Sequence, residues 1–423
     1  MPRGIARIIF SVCLFVAIGY SPVPAQDNEP GFVPLFNGTN LDGWVNVSCG
    51  PATWTVCDGK ICCSGKPIGE LRTTRMYQNF VLEVEWRHLQ PKGNAGIFVW
   101  ADAITARGQP FHRAVEVQVL DGREGEWFTS DGDVFPIHGT TMVPENGRGG
   151  MRAFPTEKRS RPSPEWNHYR IECVDGSIQL SVNGKVVTRG RECSLRKGYI
   201  CLESEGSPAE FRNLRIKELP GPALPPEQIA DADIGFRCLY NGTDLTHWKT
   251  TDAILSHWQP HDWQLAFTGT STDAAEEQLD LWSDESFTDF QLIVDWRWPE
   301  RTAQTQSADA RPDERQAVLL LRGSETARVT IGGATAGQLD AIVADNALPE
   351  EVRAAARAKA KAAVRDGEWN RFLITVKGDH VTIVLNGQDV VTDCPLPQVP
   401  LTGPIGLRAR SQIEFANIFV RPL

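Results

Sequence analysis

Glu116 and Gln118 stand two residues apart in Ala114-Val-Glu-Val-Gln-Val-Leu120, separated and flanked by Val115, Val117 and Val119. Side chains of a strand point alternately to its two faces, so the acid and the amide share one face and the valines the other. A carboxylate so placed can serve as a general base or hold a cation, with the amide orienting a polar ligand beside it. Asp121 follows at the strand end, and His138 lies just beyond, in Gly132-Asp-Val-Phe-Pro-Ile-His-Gly-Thr140, as a second proton carrier. His112, two residues before Ala114, is a further histidine close to the same strand. Glu203 and Glu205 also alternate, in Cys201-Leu-Glu-Ser-Glu-Gly206, where two acids raise one another's pKa or share a cation. Arg72, in Glu70-Leu-Arg-Thr-Thr74, can neutralise a developing anion or pair with one of these acids. A divalent metal ion is the one cofactor these residue types suggest, with Glu116, His138, Glu203 and Glu205 as its candidate ligands.

The elements that must carry these groups are strands. Runs such as Phe80 to Trp86, Ala114 to Leu120, Ile178 to Val182 and Val381 to Leu385 alternate or are β-branched, and Gly, Asn, Asp and Pro bound them. Asp175-Gly176, Asn183-Gly184 and Asn386-Gly387 sit between such runs as tight hairpin turns. Glu350 to Val364, rich in Ala, Arg, Lys and Glu, reads instead as an exposed helix.

The pattern occurs twice. Leu35-Phe-Asn-Gly-Thr-Asn-Leu-Asp-Gly-Trp44 returns as Leu239-Tyr-Asn-Gly-Thr-Asp-Leu-Thr-His-Trp248, and Phe80-Val-Leu-Glu-Val-Glu-Trp-Arg87 as Phe290-Gln-Leu-Ile-Val-Asp-Trp-Arg297. Glu165-Trp-Asn167 returns as Glu368-Trp-Asn370, and Glu210-Phe-Arg-Asn213 as Glu414-Phe-Ala-Asn417. The expected architecture is therefore all-β: two tandem antiparallel β-sandwich domains of the jelly-roll type, with a short helical insertion in the second. Residues 31–219 form the first domain, 220–233 a Pro-rich linker and 234–423 the second. Arg72 falls opposite Trp282, while Glu203 and Glu205 fall opposite Arg408 and Arg410. The framework repeats and the chemistry does not, so the first copy is expected to be the active one and the second a degenerate accessory.

The chain of 423 residues carries 43 Lys and Arg against 53 Asp and Glu, a net charge of −10 that offers nucleic acid no footprint. Residues 1–25 have a basic start at Arg3 and Arg7, an apolar run from Ile8 to Gly19 and a small-residue end at Val23-Pro-Ala25. That is the pattern of a cleaved secretory signal, which implies a secreted or periplasmic protein with no integral span in the mature chain. Cys49, Cys57, Cys62 and Cys63 do not form two C-x-x-C pairs, so they do not read as a zinc site. There is no nucleophile elbow, phosphate loop, dinucleotide fingerprint or H-E-x-x-H. Of the 13 Trp, eight recur between copies as framework, which leaves Trp100 and Trp127 in the first copy as candidates for stacking on a sugar.

Taken together, the NGTNLDGW opening, WTVCDGKI, Asn94-Ala-Gly-Ile97, Glu116-Val-Gln-Val-Leu-Asp121, EWNHYRIE, LSVNGK and EFRNLRIKEL resemble the DUF1080 family, also called the 3-keto-disaccharide hydrolase domain. The resemblance spans the first copy nearly end to end; the second keeps the opening, EWN, LNG and EFANI. It implies a concanavalin A-like jelly roll that binds or cleaves glycosides outside the cytoplasm, with Glu116 and Gln118 on the sugar-facing side. A ketone at C3 acidifies the C2 proton, so a base can remove it while the C1 substituent leaves. On that reading Glu116 is base or metal ligand and His138 proton carrier, with Arg72, Trp100, Gln118, Asp121, Trp127, Glu203 and Glu205 contacting substrate. Family members commonly carry Gln and His near the positions of Glu203 and Glu205, so the two acids are a departure. The alternatives are a lectin-like glycan-binding protein and a cell-envelope structural or partner-binding protein.

Overall fold

The computed structural model describes residues 29–121, 131–269, 279–299, 316–359 and 364–423. Each copy is a pair of antiparallel sheets. The first copy's back sheet runs, after the two-residue strand Val143–Pro144, in the order Lys185–Arg191, Ser177–Val182, Asn167–Val174, Asn79–His88, Ala209–Leu219, Lys60–Cys63, Trp54–Cys57. Its front sheet runs Trp44–Val47, Gly69–Thr73, Tyr199–Ser204, Asn94–Ala101, Ala114–Leu120, Val134–Ile137. The second copy repeats the front order with Trp248–Lys249, Leu281–Phe287, Gly403–Ala409, Ala317–Leu320 and Arg328–Thr330.

Alternation sorts the front strands as their sequences require. Leu71, Ala95, Ile97, Val115, Val117, Val119 and Leu202 face inward, where they join Phe80, Leu82, Val84, Trp86, Tyr169 and Phe211 of the back sheet in one core. The repeated motifs owe their recurrence to local hydrogen bonds. Asn37 and Asn241 each accept the backbone N–H two residues on, from Thr39 and Thr243, at 2.8 Å. Trp44 and Trp248 donate their indole N–H to Leu35 and Leu239 carbonyls. Asn183 and Asn386, at the hairpin turns, donate to Asn167 and Asn370.

The helical insertion differs from its expected form. Helix Glu350–Ala356 is shorter than Glu350 to Val364, because Arg357 is already extended, and residues 360–363 lie outside the described set. Nor is it wholly exposed, since Ala356 is buried against Leu339 and Ile342 and Val352 packs on the same core. Residues 220–233 are strapped to the first copy: Ala230 N–H donates to Lys197 O, and Asp231 N–H to Asp102 Oδ1. Cys57 and Cys62 form a disulfide. Among the described residues no helix is long and apolar enough to cross a membrane, and residues 1–25 lie outside them.

Candidate active site

The outward face of the first front sheet is where the chemistry gathers. Strand pairing sets Glu203 opposite Glu70, Gly96 opposite Gln118, and Phe98 between Cys201 and Glu116. Glu70, Glu203 and Glu116 are therefore presented on one surface by three strands of the sheet, with Asn94–Ala101 running between those of Glu203 and Glu116. Gly96 lies between the last two: a Cβ there would meet Glu203 Oε2 at 2.7 Å and Glu116 Oε1 at 3.0 Å. Any side chain at position 96 would occupy the space that these carboxylates share.

Both acids are buried, Glu116 at 6% exposure and Glu203 at 1%, and among the described residues Glu203 Oε2 has no hydrogen-bond partner. Burial pushes each carboxyl well above the usual range; Glu205 adds to it for Glu116 and Glu116 for Glu203, while Arg152 pulls Glu116 the other way. Both shifts favour a proton on the pair, and a cation could take its place. Around it, Asn94 donates to Glu205, and Gln118 Nε2 donates to Asn94 Oδ1 at 2.8 Å and Ala95 O at 3.1 Å. Arg152 sits 3.3 Å above the Phe135 ring and donates to Asp133 at 3.1 Å.

Beside this pair lies a histidine held by a third acid. Glu70 Oε1 accepts the His112 backbone N–H at 2.9 Å, and Oε2 stands 2.7 Å from Nδ1, all at zero exposure. The opposite ring nitrogen, Nε2, is buried and has no hydrogen-bond partner among the described residues. Cys201 Sγ is 3.4 Å from Nδ1, so Glu70, His112 and Cys201 offer carboxylate, imidazole and thiol within 4.8 Å of one another, donor types that zinc accepts. Burial also drives the Cys201 thiol far up, which disfavours the thiolate a metal would need.

Residues 31–217 and 235–421 each match the 3-keto-alpha-glucoside-1,2-lyase-like domain. The chain belongs to this family, in two tandem copies. Among solved structures, one from Parabacteroides distasonis ATCC 8503, provisionally assigned as a glycosyl hydrolase, is 23% identical. It covers 45% of this chain and 94% of its own, with a TM-score of 0.36. A carbohydrate-binding module from Bacillus subtilis is 11% identical over 42% of this chain and 96% of its own, TM-score 0.31. A galectin-like protein of unknown function from the same species is 12% identical over 44% and 94%, TM-score 0.34. No curated protein matches the chain.

Within the first lyase-like domain, the structure brings together Glu116, Gln118, Glu203 and Glu205, sets His138 at the rim of the same sheet and places Arg72, Asp121 and Trp100 elsewhere. His138 stands exposed at the rim, in a left-handed turn at φ +52° that follows Val134–Ile137. Crowding at the sheet edge still strips enough water from its imidazole to hold its pKa below the ordinary value, against the pull of Glu70. Arg72 is not available to an anion in the acid cluster. Its guanidinium lies 4.2 Å from the Tyr199 ring centre, donates to Thr73 O and pairs with Asp233 at 2.7 Å. Asp121 faces the opposite way, where it accepts the backbone N–H of Lys92 and Ser163, each at 3.1 Å, and ties two loops. Trp100 cannot stack on a sugar: a left-handed backbone, φ +54°, beside an irregularity in strand pairing turns the indole into the core, where it donates to Gln78 O. Trp127 lies outside the described residues.

Glu70 and Arg152 are not among the residues the sequence pattern singles out, and by that pattern His112 ranks behind His138. Glu70 precedes Arg72 by two residues, the same alternation that singles out Glu116 and Gln118.

In the second lyase-like domain the same register places Arg328 at the position of Glu116, Arg408 at that of Glu203 and Asp280 at that of Glu70. Arg408 bonds Asp280 and Glu325, so the arginine there is spent on internal pairs.

Proposed function

We propose that the first copy cleaves 3-keto-glycosides by elimination across C1 and C2, and the observation that carries this is the buried Glu116 and Glu203 pair flanking Gly96. Burial raises the Glu116 carboxyl well above its ordinary range and so favours the protonated, proton-donating form, and Glu116 serves as the acid for the leaving oxygen rather than the base that its sequence setting suggested. His138, whose pKa lies below its ordinary value, enters neutral and takes the C2 proton. The C2–H electron pair forms the C1–C2 double bond as the C1–O bond breaks, and the departing alkoxide collects the proton of Glu116. The products are a conjugated enone and an alcohol; water added later across the double bond completes a hydrolysis. Arg152 offsets the charge that gathers on the C3 oxygen. Asn94, Gln118 and Glu205 supply hydrogen-bonding groups for ring hydroxyls.

A periplasmic or extracellular location is part of the proposal, supported by the signal-like pattern of residues 1–25. The test is incubation of the full chain with a 3-keto-disaccharide, following enone absorbance and release of the leaving sugar. Absence of turnover, with glycan binding that survives Glu116→Gln, overturns the enzyme and favours a lectin. Absence of both favours a partner-binding protein.

A further inference from the structure

The hairpin that carries His112 is held by the other copy. Residues 102–113 leave the first front sheet between Asn94–Ala101 and Ala114–Leu120, closed at the base by the Asp102 and Arg113 ion pair at 2.7 Å. Its tip lies on the outer face of the second copy's back sheet. There Asn417 donates to Ala106 O at 3.0 Å and Gln109 O at 3.1 Å and accepts the Thr105 hydroxyl at 2.8 Å. Asp295 Oδ2 accepts the Gly108 backbone N–H at 2.7 Å, Arg371 donates to Thr105 O at 2.9 Å, and Trp263 donates to Gly108 O at 3.2 Å. Arg107 reaches Asn386 at 2.8 Å. A Cβ on Gly108, whose φ is +67°, would fall 2.0 Å from the Trp369 ring, so only glycine seats here.

Apart from those of the Thr105 hydroxyl and Arg107, these contacts read main-chain groups, which fix the path of the hairpin. The path leads directly to the site: Thr105 is bridged to His112, and Ala106 N–H donates to Phe111 O. Asp295 is wholly buried and also bound to Arg371 at 2.6 Å, so the receiving surface is itself rigid. The first copy has the corresponding Glu85 and Asn213, but there Glu85 is paired with Arg212 and Asn213 is exposed.

We infer that the second copy is a clamp for the His112 hairpin of the first, with Asn417, Asp295 and Arg371 as positioning residues for a site in the other domain. The inference rests on the catalytic reading for its effect on turnover and on the contacts alone for its effect on the hairpin.

Asn417→Gly tests it in the full chain, because position 417 has φ +50°, which glycine accepts, and the change removes the side chain that bonds the hairpin. Asn213→Gly, at φ +53° in the first copy, is the matched control. In Asn417→Gly, amide exchange of residues 105–112 is expected to quicken about tenfold. The His112 ring resonances should move, and kcat should fall about tenfold or more with KM nearly unchanged. Gly108→Val should do the same from the hairpin side, and Asn213→Gly should do none of it. Exchange at the wild-type rate in both hairpin-loosening variants overturns the clamp. Faster exchange with unmoved His112 resonances or unmoved kcat overturns the positioning role. If the wild-type chain shows no turnover the catalytic reading fails, and exchange and resonances still decide the clamp.

Discussion

Glu203 and Arg408 occupy the same register position of the same strand in the two copies, with Glu70 across from the first and Asp280 across from the second. One exchange of charge turns two facing acids into a salt-bridged pair. Arg408→Leu should therefore destabilise the second copy by about 3 kcal/mol, because Asp280 loses its main partner while buried. Turnover at temperatures where both copies are folded should not change. Thermal melts and steady-state rates on the same preparation check this.

Glu203→Gln should trade activity for stability. The folded carboxyl titrates well above its unfolded value, so its contribution is fully favourable only at acid pH and is lost as pH rises from the ordinary carboxylate range towards the folded value. The neutral amide escapes that loss. The variant should melt several degrees above wild type at pH 8 and level with it near pH 4. Turnover should drop at least about tenfold. A melting difference that grows towards acid pH would contradict the assignment.

Gly96→Ala should abolish turnover in a folded protein. Its methyl would press on Glu203 Oε2 and Glu116 Oε1 and part them. Circular dichroism should match wild type while kcat falls about a hundredfold or more.

The pH dependence of kcat/KM should be bell-shaped. The acid limb reports His138, below its ordinary imidazole value, and the alkaline limb reports Glu116, above its ordinary carboxyl value. Glu116→Gln should cost about a hundredfold to ten-thousandfold and remove the alkaline limb; His138→Gln should remove the acid limb. A profile unchanged in both variants would reassign the proton carriers, with His112 Nε2 next in line.

Chelation separates the two ways of neutralising Glu116 and Glu203. With a shared proton, dialysis against EDTA leaves kcat as it was. Loss of activity restored by magnesium, calcium or manganese assigns the pair to a hard cation, and restoration by zinc alone points to Glu70, His112 and Cys201.

Alternation and recurrence carry much of this structure openly. The two sandwiches, their strand faces, the Asn-Gly turns and the shared face of Glu116 and Gln118 all follow from local pattern. Less legible was anything that depends on what lies across a sheet or between domains. Glu70 is legible only once strand pairing sets it opposite Glu203. Arg72 looks free until Asp233, 161 residues away, is found beside it. Trp100 sits in an alternating run, and only its left-handed backbone turns it inward. Trp166 and Trp369 recur as framework, yet they lie on outer faces beneath arginines, Arg212 in one copy and Arg297 in the other.

The clasp between Asn417 and the 105–109 tip joins two parts of one polypeptide. Its occupancy is consequently an intramolecular quantity, set by an effective concentration that dilution does not alter. A separately folded second domain added in trans would have to reach that concentration to restore the same hairpin. Specific activity should accordingly hold constant down to the lowest enzyme concentration that can be assayed, and cleavage within residues 220–233 should make it fall on dilution.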